Sequence, residues 1–265
     1  IMNKYINFIN LNRSLNNFAS KKPFPYTIVD NFFKKNIAIK LSKEFPDYTD
    51  KNLHEYKNYC EIKKSSNNWN LFPPLTYKIF SILNSNSITK IISKKLRIGK
   101  IFTDYGLNGG GWHLMNNAGR LNPHLDYSLH PKINAQRKYN LIIFLSPDWK
   151  KNWGGETTFY SKNLKNKKLP GELVKKIYPK FNRAILFDTS KTSWHAVESI
   201  KTKKIRKSIA VYYLIKPKKK TKNKRQKALY APTKKQVNNK KVLKFIKLRS
   251  DPNTFSNVYK TKKNK

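Results

Sequence analysis

Cysteine is almost missing from this chain. The single Cys60 excludes an internal disulfide framework and a cysteine-ligated zinc site, and it fits a reducing compartment, so the expected location is the cytoplasm. No run of eighteen apolar residues occurs, which reads against a membrane-spanning helix and a membrane partner. The first residues, Ile1 to Asn7, lack a charged stretch followed by an apolar one and do not read as a secretory signal. Gly109-Gly110-Gly111 has neither G-x-x-x-x-G-K-[ST] nor G-x-G-x-x-G around it, so it reads as a loop rather than a phosphate cradle. No internal repeat is visible. Acidic residues are scarce as well: 14 Asp and Glu face 57 Lys and Arg, a formal charge of +43.

That charge has two readings. Lysine-rich surfaces bind polyanions through phosphate contacts. Alternatively, Lys, Asn, Ile, Tyr and Phe are abundant together, as an AT-rich coding sequence produces without selection for a ligand. The lysines are spread along the chain, which favours the second reading. The dense run from Lys216 to Lys227 is the exception, and it reads as a solvated loop.

Hydrophobic residues make up 38% of the 265, enough for one sizeable core. Residues 1–22 are polar and aperiodic and read as a loosely held N-terminal arm. Residues 23–97 read as a helical N-terminal part. There Ile37, Leu41 and Phe45 lie at helical spacing, Pro73-Pro74 opens a second helix, and Ser87 N-caps a third that ends at Leu96. From 98 to 216 the pattern changes to short strands separated by turns. Tyr139 to Leu145 is a nearly continuous apolar run, fit for a buried strand. Thr157 to Tyr160, Leu173 to Tyr178, Ala184 to Phe187 and Ile209 to Ile215 add others. Residues 217–265 read as a basic loop and a C-terminal helix over Lys234 to Leu248. The class is mainly β with flanking helices: a β-sandwich or jelly roll with helices packed outside.

The chemistry lies in His124-Leu125-Asp126 and, further on, Trp194-His195. Alternation along a strand puts His124 and Asp126 on one face. Such a pair alone arises by chance, as a surface turn after Pro123. Adding His195 from another strand makes two imidazoles and one carboxylate, the facial set that holds Fe(II) with positions left open. Arg206 and Ser208 are again two apart. A guanidinium with an adjacent hydroxyl suits the distal carboxylate of a dicarboxylate such as 2-oxoglutarate. Arg206 heads the apolar strand Ile209 to Leu214, where a cation calls for a buried partner. Of the other histidines, His113 is a candidate for lining a substrate pocket, His130 reads as a loop residue and His54 as surface. Trp112, Trp149, Trp153 and Trp194 read as core or rim packing.

These segments resemble the 2-oxoglutarate/Fe(II) dioxygenases of the prolyl 4-hydroxylase-like group. The resemblance is carried by Leu121 to Tyr127, Arg137 to Leu145, Trp153-Gly154-Gly155-Glu156-Thr157, Ser193-Trp194-His195 and Arg206 to Tyr213. Pro23 to Phe32 and Ala228 to Thr233 resemble that group's flanks. It implies a double-stranded β-helix (jelly roll) core with iron at its mouth. It also implies iron ligation by His124, Asp126 and His195, and 2-oxoglutarate binding by Arg206. The partners would be O2, 2-oxoglutarate and a peptide or small-metabolite substrate, with succinate and CO2 released and ascorbate a candidate auxiliary reductant. One departure is Phe144, which stands where some members place a co-substrate tyrosine. Asn140, on the same strand face, is the candidate substitute. Two rival readings are a nucleic-acid oxidative demethylase, ranked lower because Tyr212 and Tyr213 stand where a second Arg is usual, and a non-catalytic basic binding protein on a β-sandwich scaffold.

Overall fold

Helical spacing of apolar side chains builds the outer layer. In the computed structural model, which describes residues 2–217, 227–251, 253 and 254, α1 (Phe8–Leu15) buries Leu11 and Leu15, and α2 (Lys35–Lys43) buries Ala38 and Leu41. Next, α3 (Pro74–Leu83) starts with proline at its first position, where a missing N–H costs nothing. It is followed by α4 (Asn86–Lys95) and, near the end of the chain, α5 (Lys240–Ser250). No helix among the described residues is long and apolar enough to cross a membrane.

The strands form one curled antiparallel sheet. In chain order they are β1 (Tyr26–Val29), β2 (His54–Lys57), β3 (Glu61–Ser66), β4 (Phe102–Thr103), β5 (Gly111–Met115), β6 (Arg120–Leu125) and β7 (Gln136–Phe144). Then come β8 (Thr157–Lys162), β9 (Pro170–Ile177), β10 (Ala184–Asp188), β11 (His195–Val197), β12 (Arg206–Ile215) and β13 (Leu229–Tyr230). The path runs β1-β10-β7-β12-β5-β3-β6-β11-β8-β9, with β2 on β3, β4 on β12 and β13 on β6. The curl makes a half-barrel, the shape expected of a jelly roll.

The two faces of β7 show how the core divides. Tyr139, Leu141 and Ile143 point outward into a cluster with Leu41, Ile79 and Phe80 of the helices. Phe144 points inward and packs with Phe24, Phe159 and Phe187, while Asn140 and Ile142 line a cavity. Both faces are covered, which is why residues 139–145 read as a nearly continuous apolar run. β12 behaves alike, with Ile209, Val211 and Tyr213 outward and Ser208, Ala210 and Tyr212 facing the cavity. Fully burying each Leu, Ile or Phe contributes about 1.5–3 kcal/mol.

Several expectations need correction. Residues 1–22 are no loose arm: α1 lies there, and Ile6, Leu11, Leu15 and Phe18 are buried. The exposed Ile9 between them blurs the spacing, and Asn7 caps the helix by accepting from the Asn10 N–H at 3.3 Å. The cap of α4 is Ser85, whose Oγ accepts from Ile88 N–H, rather than Ser87. The last helix begins later than Lys234, because Asn239 accepts from the Lys241 and Val242 N–H groups and starts α5 there. β2 and β3 were unforeseen, since Lys and Ser interrupt any apolar alternation. Most of the basic run at 216–227 lies outside the described residues.

Cys60 sits in the β2–β3 turn with no exposure, and burial pushes its thiol up to about 12. At neutral pH it should resist alkylation in the native protein and react only in denaturant. Rapid labelling of the native chain would show that this turn opens.

Candidate active site

Strand register assembles the centre. His124 on β6 and His195 on β11 are direct cross-strand partners, and Asp126 follows just beyond the end of β6. His124 Nε2 lies 3.9 Å from Asp126 Oδ1, and His195 Nε2 lies 3.9 Å from Asp126 Oδ2. One ligand atom from each residue falls within a 4.8 Å span, which suits a single cation at bonds of about 2 Å.

Each imidazole is fixed in the tautomer a metal needs. His124 Nδ1 is 2.9 Å from the Asn122 carbonyl, and His195 Nδ1 is 2.9 Å from the Ser193 carbonyl. A carbonyl only accepts, so both Nδ1 atoms carry the proton and both Nε2 lone pairs are free. Burial, reinforced by His195 alongside, pushes the His124 imidazole down to about 3, which keeps it neutral. The Tyr230 ring stacks on His124 at 4.9 Å and 13°, and the Phe187 ring meets His195 at 4.9 Å. The residues present therefore fit a divalent cation bound by two nitrogens and a carboxylate.

Arg206 is 3% exposed and has no carboxylate within ion-pair distance among the described residues. Its Nε donates to the Gly155 carbonyl at 2.8 Å; its Nη atoms lie 3.5 Å from Ser208 Oγ and 3.5 Å from Thr157 Oγ1. Phe144 underlies the guanidinium at 4.8 Å. Burial pulls the guanidinium down to about 10, with Glu156 partly opposing that shift. A buried cation without a countercharge costs several kcal/mol, so this pocket is built for an anion.

Gly154 and Gly155 make room for it. Both have positive φ, +74° and +79°, and a Cβ on Gly155 would sit 2.9 Å from Arg206 Cδ. Gly155→Ala should lower stability by about 1–3 kcal/mol, read by chemical denaturation. Unchanged stability would mean that Arg206 shifts freely and is not seated by this glycine.

Asn140 stands at the metal end of the cavity. Register sets it opposite Tyr212, while Phe144 is opposite Ser208. Its Nδ2 is 3.1 Å from the Tyr212 hydroxyl and 3.5 Å from Asp126 Oδ2. It therefore faces the carboxylate of the metal set, not the Arg206 end. His113, on β5, pairs with Ser208 of β12 and lines the cavity, its Nε2 buried without a partner among the described residues. Burial first, then the charges of Lys63 and Arg206, push it down to about 3. His130 is removed from the centre. It meets Asp104 at 3.3 Å through Nε2 and accepts two loop N–H groups at Nδ1. His54 is exposed at the cavity rim. Trp112, Trp149 and Trp194 are buried packing residues, and Trp153 packs edge-on against Trp149.

Sequence reasoning missed Arg137. Its guanidinium lies between the rings of Tyr127 and Tyr212, 3.3 Å and 3.4 Å from their centroids, and 3.8 Å from Asp126 Oδ1. It donates to the Asn108 carbonyl and the Tyr127 hydroxyl. The signal existed, since Arg137 stands near the head of an apolar strand just as Arg206 does. Also missed was a brace behind His124. Glu61 accepts from Arg249 at 2.5 Å and from the Tyr230 hydroxyl at 3.3 Å. The whole cavity is ≈ 470 Å³.

Comparison with known proteins bears on this geometry. Residues 110–214 match the model of the 2OG-Fe(II) oxygenase superfamily, whose cofactors are Fe(II) and 2-oxoglutarate. A 64-residue stretch is 31% identical to the prolyl 3-hydroxylase OGFOD1 of Xenopus laevis, covering 24% of this chain and 12% of that relative's length. Among solved structures, a prolyl hydroxylase of Trichoplax adhaerens, in complex with a hypoxia inducible factor peptide fragment, superposes with a TM-score of 0.55 at 17% identity, over 77% of this chain and 88% of that one. A prolyl-4-hydroxylase of Pseudomonas putida gives 0.56 at 11% identity, over 77% and 97%. At such identities the likeness establishes the fold, a double-stranded β-helix.

Proposed function

We propose that this chain is a member of the 2OG-Fe(II) oxygenase superfamily, whose model its residues 110–214 match, and that it hydroxylates a side chain of a peptide, a prolyl residue foremost, in a reducing cytoplasm. His124, Asp126 and His195 would hold Fe(II), and Arg206, with Ser208 and Thr157 beside it, would hold the distal carboxylate of 2-oxoglutarate. The observation that carries this reading is the convergence of two lone-pair nitrogens and a carboxylate in one cavity with a buried Arg206 that lacks a countercharge among the described residues. The prolyl assignment is supported by the prolyl hydroxylases that this chain resembles.

When bound, Fe(II) supplies O2 activation coupled to decarboxylation of 2-oxoglutarate and to oxygen insertion into a substrate C–H bond. The chain supplies orientation and dryness. The Asn122 and Ser193 carbonyls hold the imidazoles in one tautomer. Asn140 and Arg137 flank the two oxygens of Asp126 and steer its carboxylate. Arg206 aligns a dicarboxylate along β12, and its cost of burial is offset once that anion sits against it. Phe144, Phe159 and Phe187 close the inner end with apolar surface and exclude water.

The test is incubation with Fe(II), 2-oxoglutarate and O2 in the presence of proline-containing peptides, followed by mass spectrometry. One oxygen atom gained on a prolyl residue is expected. Succinate formed while oxygen appears only on a nucleobase or a free metabolite would overturn the peptide assignment.

A further inference from the structure

We infer, resting on the hydroxylase reading, that the cavity takes an acidic peptide, with Asp or Glu flanking the residue to be modified. Among the described residues five cations line it: Lys63, Arg137, Arg206, Lys227 and Arg249. The carboxylates lining it among the described residues are Glu61 and Asp126. The charges of Fe(II) and the 2-oxoglutarate dianion cancel, so three positive charges remain in excess with both bound. No Asp or Glu occurs among the residues outside the description, so no carboxylate there neutralises them.

Composition does not account for this excess. Arg supplies only eight of the chain's 57 cations, yet it supplies three of the five in the cavity. These arginines are buried: Arg137 is 2% exposed, Arg206 3% and Arg249 7%. Codon usage would scatter lysines over the surface; it does not place buried guanidinium groups around one cavity.

Two carboxylates and several aromatic rings hold these cations in place: Glu61 meets Arg249 at 2.5 Å and Lys63 at 3.5 Å, and Asp126 lies 3.8 Å from Arg137. Arg137 lies between Tyr127 and Tyr212. Arg249 stands 3.8 Å over Tyr230, and Lys63 stands 4.8 Å over Tyr56. Such stacking fixes orientation, and two carboxylates shared among five cations leave the cavity net positive. Burial and the neighbouring Arg249 push the Lys227 ammonium down, a shift that an anion at the rim would reverse. The same stacking argues against nucleic acid. Bases need aromatic faces to stack on, and Tyr230 already meets both His124 and Arg249.

The experiment uses three matched peptides with a central Pro flanked by Glu, Gln or Lys. Each is titrated calorimetrically into the full chain loaded with Fe(II) and 2-oxoglutarate, without O2, at a salt concentration of about 0.15 M. The Glu peptide should bind about tenfold or more tighter than the Gln peptide, and the Lys peptide most weakly. Lys63→Gln with Lys227→Gln should remove most of that preference. Lys150→Gln with Lys201→Gln, on exposed residues outside the cavity, should leave it. Equal binding of all three peptides, absence of binding by any, or a preference that survives loss of Lys63 and Lys227 would overturn the inference. So would an oligonucleotide that binds more tightly than the Glu peptide and stimulates succinate release. Binding needs no turnover, so the two readings fail separately. A Glu preference without any succinate production refutes the hydroxylase. Succinate production without the preference refutes only the acidic substrate.

Discussion

Replacing His195 by Ala should cost Fe(II) affinity about 100-fold or more and abolish turnover, with the fold retained. Even the outer hydrogen-bond partners of metal ligands are worth about 10–100-fold, and this change removes a ligand. The vacated space is walled by Phe187 and by the His124 ring 4.1 Å away, so neither supplies a replacement donor that would not already be in use. His124→Ala should behave alike. Titration of iron into each purified variant, with circular dichroism as the fold control, reads the effect. Wild-type iron affinity in both variants would remove these histidines from the metal site.

Arg206→Ala should raise the 2-oxoglutarate requirement while leaving iron affinity nearly unchanged. Losing one partner of a buried charged pair costs about 2–5 kcal/mol, which corresponds to roughly 30- to 5,000-fold in affinity. Arg206→Lys should recover part of it, because an ammonium restores the charge but not the fork that reaches Gly155, Ser208 and Thr157 together. The neighbouring Lys207 offers no rescue, since its Nζ donates to the Ser42 carbonyl on the outer face at 2.9 Å. A 2-oxoglutarate constant that barely moves in Arg206→Ala would transfer the anion site to another buried cation, with Arg137 the first to examine.

The centre was legible in sequence because its signals are local. The two-residue spacing of His124 and Asp126, and of Arg206 and Ser208, follows from strand alternation, and a cation heading an apolar strand marks a buried charge. What surrounds the centre was not legible, because long-range pairing decides it. Asn140 and Phe144 share a strand face, and only the register against Tyr212 and Ser208 tells which metal-site neighbour each meets. Glu61 stands on β3, whose Lys-Lys-Ser-Ser sequence has no strand pattern, and its partners Tyr230 and Arg249 are brought from the other end of the chain. The helix α1 was hidden for another reason: its buried positions are right, but the apolar Ile9 stands on the exposed side and lowers the apolar contrast on which periodicity depends. The charge of +43 resolves into two parts. Dispersed lysines fit composition, whereas the buried arginines around one cavity do not.

The most direct test of the iron and 2-oxoglutarate site is succinate release from 2-oxoglutarate by the purified full chain, with and without added Fe(II), for wild type, His195→Ala and Arg206→Ala. Wild type should release succinate only with Fe(II), His195→Ala should release none, and Arg206→Ala should approach wild-type rates only at greatly raised 2-oxoglutarate. Succinate release that is independent of added and residual iron, or equal in all three proteins, would contradict the account.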